Sequence, residues 1–171
     1  MKKQVIIIDT SAILSGKPIH FPNARLVTTS GVADELTPGG RDYRTFELLQ
    51  EKGLEIHLPS KESLQVVKKT AQQTGDDRRL SSADVEIIAL ALDINSEPET
   101  EAMILTDDYS IQNVASTLQI RFEGFSQKGI TKKFKWVSRC PGCGKHFNER
   151  TDSCPICGTA TRSLPRNKTN L

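Results

Sequence analysis

Short β-branched apolar runs and stretches of helical periodicity alternate along this chain, separated by polar breaks. Residues 4–8 (Gln-Val-Ile-Ile-Ile) run into Asp9-Thr10-Ser11, the pattern of a strand buried on both faces that hands over to a hydroxyl-capped helix. A second strand is expected over 24–28. Then come a helix over 32–36 capped by Ser30, a break at Pro38-Gly39-Gly40, and a helix over 42–52 stopped by Gly53. Leu54, Ile56 and Leu58 alternate as one face of a strand over 54–58, and residues 61–74 read as a helix ended near Gly75. The clearest helix spans 81–94. Ser81-Ser82-Ala83-Asp84 opens it, without a full capping box because Val85 stands three residues after Ser82. Val85, Ile88, Ala89 and Leu92 recur there at helical spacing. A Glu-rich loop over 95–101 leads to a buried strand over 102–106 that ends at Asp107-Asp108. A helix over 111–118 and a closing strand over 120–122 follow. Strands alternating with helices predict an α/β domain with a central, mainly parallel sheet flanked by helices.

The character changes after residue 123. Phe125, Phe134 and Trp136 are interleaved with Lys128, Lys132, Lys133, Lys135 and Arg139, which reads as a basic linker over 124–138. A small module is expected over 139–163, and a basic, mobile tail over 164–171. A chain of 171 residues has room for one full domain, 1–123, and one small one. A unit of about forty residues or fewer generally needs a staple such as a metal.

Charge sharpens this division. Residues 1–120 carry twelve Lys/Arg against eighteen Asp/Glu, and residues 121–171 eleven against three, so a net of +2 hides −6 in front and +8 behind. The rear balance fits a polyanionic partner, and a solvated tail is the plainer alternative. The apolar run Val5–Ile8 is too short for a signal segment or a membrane span, so a cytoplasmic protein with reduced thiols is expected.

The four cysteines therefore need another reason. Cys140-Pro141-Gly142-Cys143-Gly144 and Cys154-Pro155-Ile156-Cys157-Gly158 are two like turns, ten residues apart. Zinc takes four thiolates in a tetrahedron, and each C-x-x-C turn offers two, so a zinc ribbon with one structural zinc is expected. The Gly after each second Cys lets the backbone turn toward the sulfurs. His146 is surplus to a complete set. Disulfides suit the compartment poorly, and redox C-x-x-C motifs occur singly.

The carboxylates form the other constellation. Asp9 ends the first buried strand, Glu35 lies on the helix after the second, Asp84 opens the clearest helix, and Asp107 and Asp108 end a later strand. In open α/β sheets the carboxyl ends of parallel strands share one edge, where these groups would converge. Converging carboxylates repel unless a hard cation such as magnesium or manganese lies between them. Such an ion orients and activates a water against a phosphate. The competing reading makes Asp9 and Asp84 separate helix caps. No Ser-His-Asp or Cys-His set is available, since the only histidines are His20, His57 and His146.

In the order Ile6–Ser11 (I-I-I-D-T-S), Val32–Leu36 (V-A-D-E-L), Ser81–Ala91 (S-S-A-D-V-E-I-I-A-L-A) and Ile104–Ala115 (I-L-T-D-D-Y-S-I-Q-N-V-A), the front of the chain resembles PIN-domain nucleases. With the four-cysteine ribbon, the resemblance narrows to the archaeal-type Nin-one-binding branch, which trims the 3′ end of precursor small-subunit ribosomal RNA. It implies a metal-binding set of Asp9, Glu35, Asp84 and Asp108, the last from the T-x-D at Thr106-Asp107-Asp108. Asp107 is then an alternative ligand or a flanking charge. Thr10, Ser11 and Asn113 are expected as hydrogen-bonders around the site, ordinary turn and cap roles being the alternative. The implied reaction is metal-assisted phosphodiester hydrolysis, leaving 3′-hydroxyl and 5′-phosphate ends; the alternatives are an RNA- or pre-ribosome-binding assembly factor with little or no nuclease activity, and a PIN nuclease acting on another RNA. Lys132, Lys133, Lys135, Arg139, Lys145 and Arg150 are expected to meet RNA phosphates. Phe134 and Trp136 either stack on an unpaired base or pack between linker, ribbon and core, and Phe147 belongs to the ribbon's small core.

Overall fold

The computed structural model describes residues 2–125 and 132–170, with the side chains of 132–135 and 166–170 left aside. The front of the chain folds as β1 (Lys3–Ile8), α1 (Thr10–Leu14), β2 (Ala24–Thr28), α2 (Ser30–Glu35), α3 (Arg41–Glu51), β3 (Glu55–Ile56), α4 (Lys61–Thr74), α5 (Ser82–Ser96), β4 (Thr100–Leu105), α6 (Tyr109–Thr117) and β5 (Arg121–Glu123). The five strands form one parallel sheet in the order β3-β2-β1-β4-β5, flanked by helices as the alternation predicts.

This order places the site. The chain builds outward from β1 through β2 to β3, then crosses to the other side of β1 to lay down β4 and β5. The direction reverses between β1 and β4, which pair from Lys3↔Thr100 to Ile8↔Leu105. The connections leaving these two strands diverge at the carboxyl edge and open a crevice there. The strands themselves are held by burial: Ile6, Ile7, Ile8, Ile104 and Leu105 are at most 1% exposed, so truncating any one to Ala costs about 2–5 kcal/mol.

Several local expectations change. Helix α5 is buried nearly all round, through Ala83, Val85, Ile87, Ile88, Ala89, Leu90, Ala91 and Ile94, because it packs on β1, β4, α2, α4 and α6. Its start is a complete capping box after all, with Ser81 as N-cap and Asp84 as the reciprocal partner. The strand expected over 54–58 shrinks to Glu55–Ile56; Leu54 is buried, while Ile56 and Leu58 are 43% and 75% exposed. An edge strand has a neighbour on one side only, so alternation there does not guarantee a covered face.

Within the stretch read as linker and tail, β6 (Lys132–Arg139) and β8 (Arg162–Asn170) pair antiparallel, from Lys132↔Asn170 to Arg139↔Arg162, with an irregularity between Lys135 and Trp136. The short strand β7 (His146–Phe147) completes a sheet of order β7-β6-β8. Both segments are thus regular structure, since a partner some thirty residues away satisfies backbone groups that local sequence leaves open. No helix among the described residues is long and apolar enough to cross a membrane.

Candidate functional site

Asp9 ends β1 and caps α1. It is 3% exposed, and its Oδ2 accepts from the Ser11 backbone N–H (3.4 Å), the Ser11 hydroxyl (2.6 Å) and the Thr106 hydroxyl (2.7 Å). Thr106 directly follows β4, and the same hydroxyl accepts from the Asp108 N–H at 3.0 Å. Asp108 caps α6, its Oδ1 accepting from the N–H groups of Ser110 (2.6 Å) and Ile111 (3.4 Å). One threonine therefore joins the ends of β1 and β4 across the crevice.

Asp84 lies in the first turn of α5 and accepts from the Ser81 N–H at 2.6 Å, while its own N–H donates to the Ser81 hydroxyl at 3.1 Å. That hydroxyl also donates to Glu35 Oε1 at 3.4 Å, and Thr10 donates to Glu35 Oε2 at 2.5 Å. Glu35 ends α2 and is exposed. Asp9, Asp84 and Asp108 are thus helix-terminal residues and members of one acidic edge at once. The two readings of the sequence are compatible, because partial positive charge at helix N-termini suits clustered anions.

Burial raises the pKa of Asp9 above the usual carboxylate range, against the lowering effect of its hydrogen bonds to Ser11 and Thr106. Asp84 is also raised, first by burial, with the Asp9 and Asp108 charges adding to it and the Ser81 hydrogen bonds opposing. These carboxylates feel one another, and hard oxygen donors in mutual repulsion are a donor set that fits a divalent cation. Among the described residues, the four cysteines are the group of three or more possible ligands whose atoms lie within 4.8 Å of one another.

Asp107 is engaged differently from Asp108. Its Oδ1 accepts from the Phe125 N–H at 2.7 Å, and its own N–H donates to the Ser11 hydroxyl at 3.1 Å. The Asp108 charge acts on Asp84. Asn113, expected near the acids, donates to Asp76 at 2.6 Å. Thr10 and Ser11 meet the expectation of hydrogen-bonders at this edge. Ser81 escaped sequence reasoning, although its position three residues before Asp84 was the signal.

The cysteine centre closes well. Sγ atoms of Cys140 and Cys157 are 3.3 Å apart, and those of Cys143 and Cys154 3.6 Å. Four thiolates at a Zn–S distance of about 2.3 Å would be separated by about 3.8 Å, whereas a disulfide requires about 2.05 Å. The cysteines are free, and Gly144 and Gly158 carry φ of +74° and +72°, as a left-handed turn after each knuckle demands. The Thr159 hydroxyl and N–H draw the Cys157 thiol down to about 6, while Cys143, beside the other three sulfurs, is pushed up to about 11. His146 stands exposed in β7, and Phe147 is half-buried.

Of the residues expected to meet RNA, Arg139 and Lys145 are exposed. Lys132, Lys133, Lys135 and Phe134 lie on β6 with side chains outside the described set, and Lys128 lies outside the described residues. Trp136 turns inward instead: the Arg79 guanidinium lies 3.8 Å from its ring centroid, and it sits against Gly75. Arg150 is likewise used inside the protein, donating to the Gly75 carbonyl and to Asp77, each at 3.2 Å. An Arg78–Asp152 ion pair completes this contact between the two halves.

Residues 6–94 match the family described as the PIN domain of ribonuclease. The chain is similar to Endoribonuclease Nob1 of Archaeoglobus fulgidus, 37% identical over 91% of this chain and 88% of that protein. It is also similar to Endoribonuclease Nob1 of Pyrococcus abyssi, 34% identical over 96% of each. Ribonuclease VapC1 of Thermoplasma acidophilum is 39% identical over 90% of this chain and 75% of its own length.

Proposed function

The chain belongs to the PIN-domain ribonucleases, in the group its Nob1 relatives represent, and on that premise we propose that it cleaves precursor small-subunit ribosomal RNA at its 3′ end in the cytoplasm, during ribosome assembly. The observation that supports this most directly is the hydrogen-bond frame at the carboxyl edge where the sheet order reverses: Thr106 joins Asp9 to the N–H of Asp108, and Ser81 joins Asp84 to Glu35.

In this reading Asp9, Asp84, Asp108 and the exposed Glu35 would hold magnesium or manganese. The bound ion supplies Lewis acidity that activates a water and stabilises charge on the scissile phosphate. The protein's own groups do the positioning. Ser11 and Thr106 fix the rotamer of the buried Asp9, Thr106 ties Asp108 to it, and Ser81 keeps Asp84 and Glu35 in register. Water would add to phosphorus in line with the departing 3′ oxygen as the P–O3′ bond breaks; the attacking water's proton passes to solvent and solvent protonates the 3′ oxygen, so the products carry a 3′-hydroxyl and a 5′-phosphate. No residue of the set acts as a covalent nucleophile. Asp107, bound to the Phe125 N–H, contributes a flanking charge.

The acidic edge repels the RNA backbone, so affinity comes from the rear of the chain. Strands β6 and β8 together carry Lys132, Lys133, Lys135, Arg139, Arg162, Arg166 and Lys168 and no carboxylate. They lead into and out of the zinc ribbon held by Cys140, Cys143, Cys154 and Cys157, with Lys145 in its first knuckle. Neutralising phosphates this way makes binding strongly salt-dependent.

The likeness to a VapC-named ribonuclease over 90% of this chain favours one second reading, cleavage of a different RNA by the same chemistry. End-labelled RNA spanning the small-subunit 3′ junction, incubated with manganese beside an unrelated RNA, separates the two. One discrete 5′-phosphate product at the junction is expected. Equal cutting of both RNAs would remove the ribosomal assignment.

A further inference from the structure

A second carboxylate cluster lies away from the acidic edge. Asp76, 1% exposed, follows the C-cap of α4. It accepts from the Asn113 side chain of α6 at 2.6 Å and from the Trp136 indole of β6. Its backbone carbonyl accepts from the N–H groups of Arg79 (2.8 Å) and Leu80 (3.1 Å). A buried carboxylate persists only when so partnered. Every contact described between the cysteine-bearing half and the loop after α4 falls within residues 75–79. Gly75 lies against Trp136 and accepts from Arg150, Asp77 pairs with Arg150, Arg78 pairs with Asp152, and Arg79 covers the Trp136 ring.

The same loop runs straight into Ser81, whose hydroxyl and N–H hold Glu35 and Asp84. Asn113 lies five residues beyond Asp108 on α6. Asp76 is thus tied to α6 through Asn113, to the loop that leads into α5 through its carbonyl, and to the strand that enters the ribbon through Trp136. Packed helices move as units with discrete arrangements, so a shift at one end is carried to the other.

We infer that Asp76, Arg79 and Trp136 are positioning residues for the acidic site: the docked ribbon, through the 75–79 loop, sets the separation of Asp84 and Asp108. The inference rests on the nuclease reading above. It makes the ribbon part of the site's geometry as well as a handle on RNA. Linkage then requires reciprocity, so that a cation bound at the acids tightens ribbon docking by the factor that docking tightens the cation.

Full-length, zinc-loaded protein tests this with Arg79→Ala, an exposed position, beside Arg79→Lys, which keeps a cation over the ring. On a short single-stranded RNA, Arg79→Ala should lower kcat about three- to tenfold, with KM within about twofold. It should raise the magnesium concentration for half-maximal rate by a similar factor, and Arg79→Lys should recover most of both. Trp136 is the single tryptophan, so acrylamide quenching reads docking without any turnover. Magnesium should reduce quenching in the wild type and leave it unchanged in Asp9→Asn. Looser Trp136 in Arg79→Ala with unaltered kcat and magnesium requirement would overturn the inference, as would quenching insensitive to magnesium in a wild type that cleaves RNA. A wild type that cleaves no RNA would instead count against the nuclease reading, and magnesium-dependent protection of Trp136 would still support the coupling.

Discussion

Gly75→Ala probes the junction where α4 meets the ribbon strand. Gly75 is the C-cap of α4, with φ +80° and ψ 17°, a left-handed conformation that costs an L-residue about 1–2 kcal/mol. A Cβ there would also come within 2.8 Å of Trp136 Cβ and 3.2 Å of the Trp136 carbonyl oxygen. Neither neighbour is the far end of a flexible side chain, so the strand must move or the helix end must tilt. Overpacking of this kind costs about 1–3 kcal/mol. The total is about 2–5 kcal/mol, or a fall in Tm of roughly 5–15 °C for a chain of this size. Gly53 supplies the control, since its φ is +100° and nothing lies within 4 Å of its missing Cβ. Gly53→Ala should therefore show the conformational cost alone. Urea unfolding followed by Trp136 fluorescence and by far-ultraviolet circular dichroism measures both variants. If Gly75→Ala is no less stable than Gly53→Ala, then β6 does not press on α4, and the docked arrangement described above is wrong.

Other consequences concern charge and metal. Burial holds Asp9 above the usual carboxylate range, so the stability it contributes is complete below the unfolded pKa and is lost as pH rises through the folded value. In chelator, Asp9→Asn keeps an acceptor for Ser11 and Thr106 and should melt above the wild type at neutral pH, the gap closing as pH falls; equal melting at neutral pH would refute the assignment. Because protons compete with a cation at Asp9 and Asp84, whose pKa values are both raised, magnesium affinity measured by calorimetry should fall as pH drops toward those values. A flat profile down to the ordinary carboxylate range would contradict the coupling. Cys157→Ser should lower bound zinc from about one ion per chain to near zero and red-shift Trp136 emission, while the parallel sheet keeps its circular dichroism. Retention of zinc would exclude the four-cysteine site. The Arg78–Asp152 pair is over half exposed on both sides, so Arg78→Ala should leave the urea midpoint close to that of the wild type.

Much of the front domain was legible because its signals are local. The run Val5–Ile8, the Gly75 stop and the T-x-D after residue 105 each declare themselves within a few positions, and strands and helices alternate as periodicity requires. What escaped depends on partners far along the chain. Leu58 alternates like a core residue, yet it lies beyond the short edge strand β3 and is 75% exposed. The basic stretch after residue 131 looks structureless alone and becomes β6 because Arg162–Asn170 lies beside it. For Trp136 the sequence left stacking and internal packing both open, and the partner that covers its ring, Arg79, lies fifty-seven positions earlier. The acids were named individually from sequence; their linkage through Ser81 and Thr106 required the fold.

The most direct test of the acidic site is single-turnover cleavage with manganese by zinc-loaded Asp9→Asn, Asp84→Asn, Asp108→Asn and Asp107→Asn proteins against the wild type. Loss of one ligand should remove several kcal/mol of transition-state stabilisation, so the first three should fall at least about a hundredfold. Asp107→Asn should stay within about tenfold. Full activity in Asp9→Asn, or an active Asp108→Asn beside an inactive Asp107→Asn, would contradict the account.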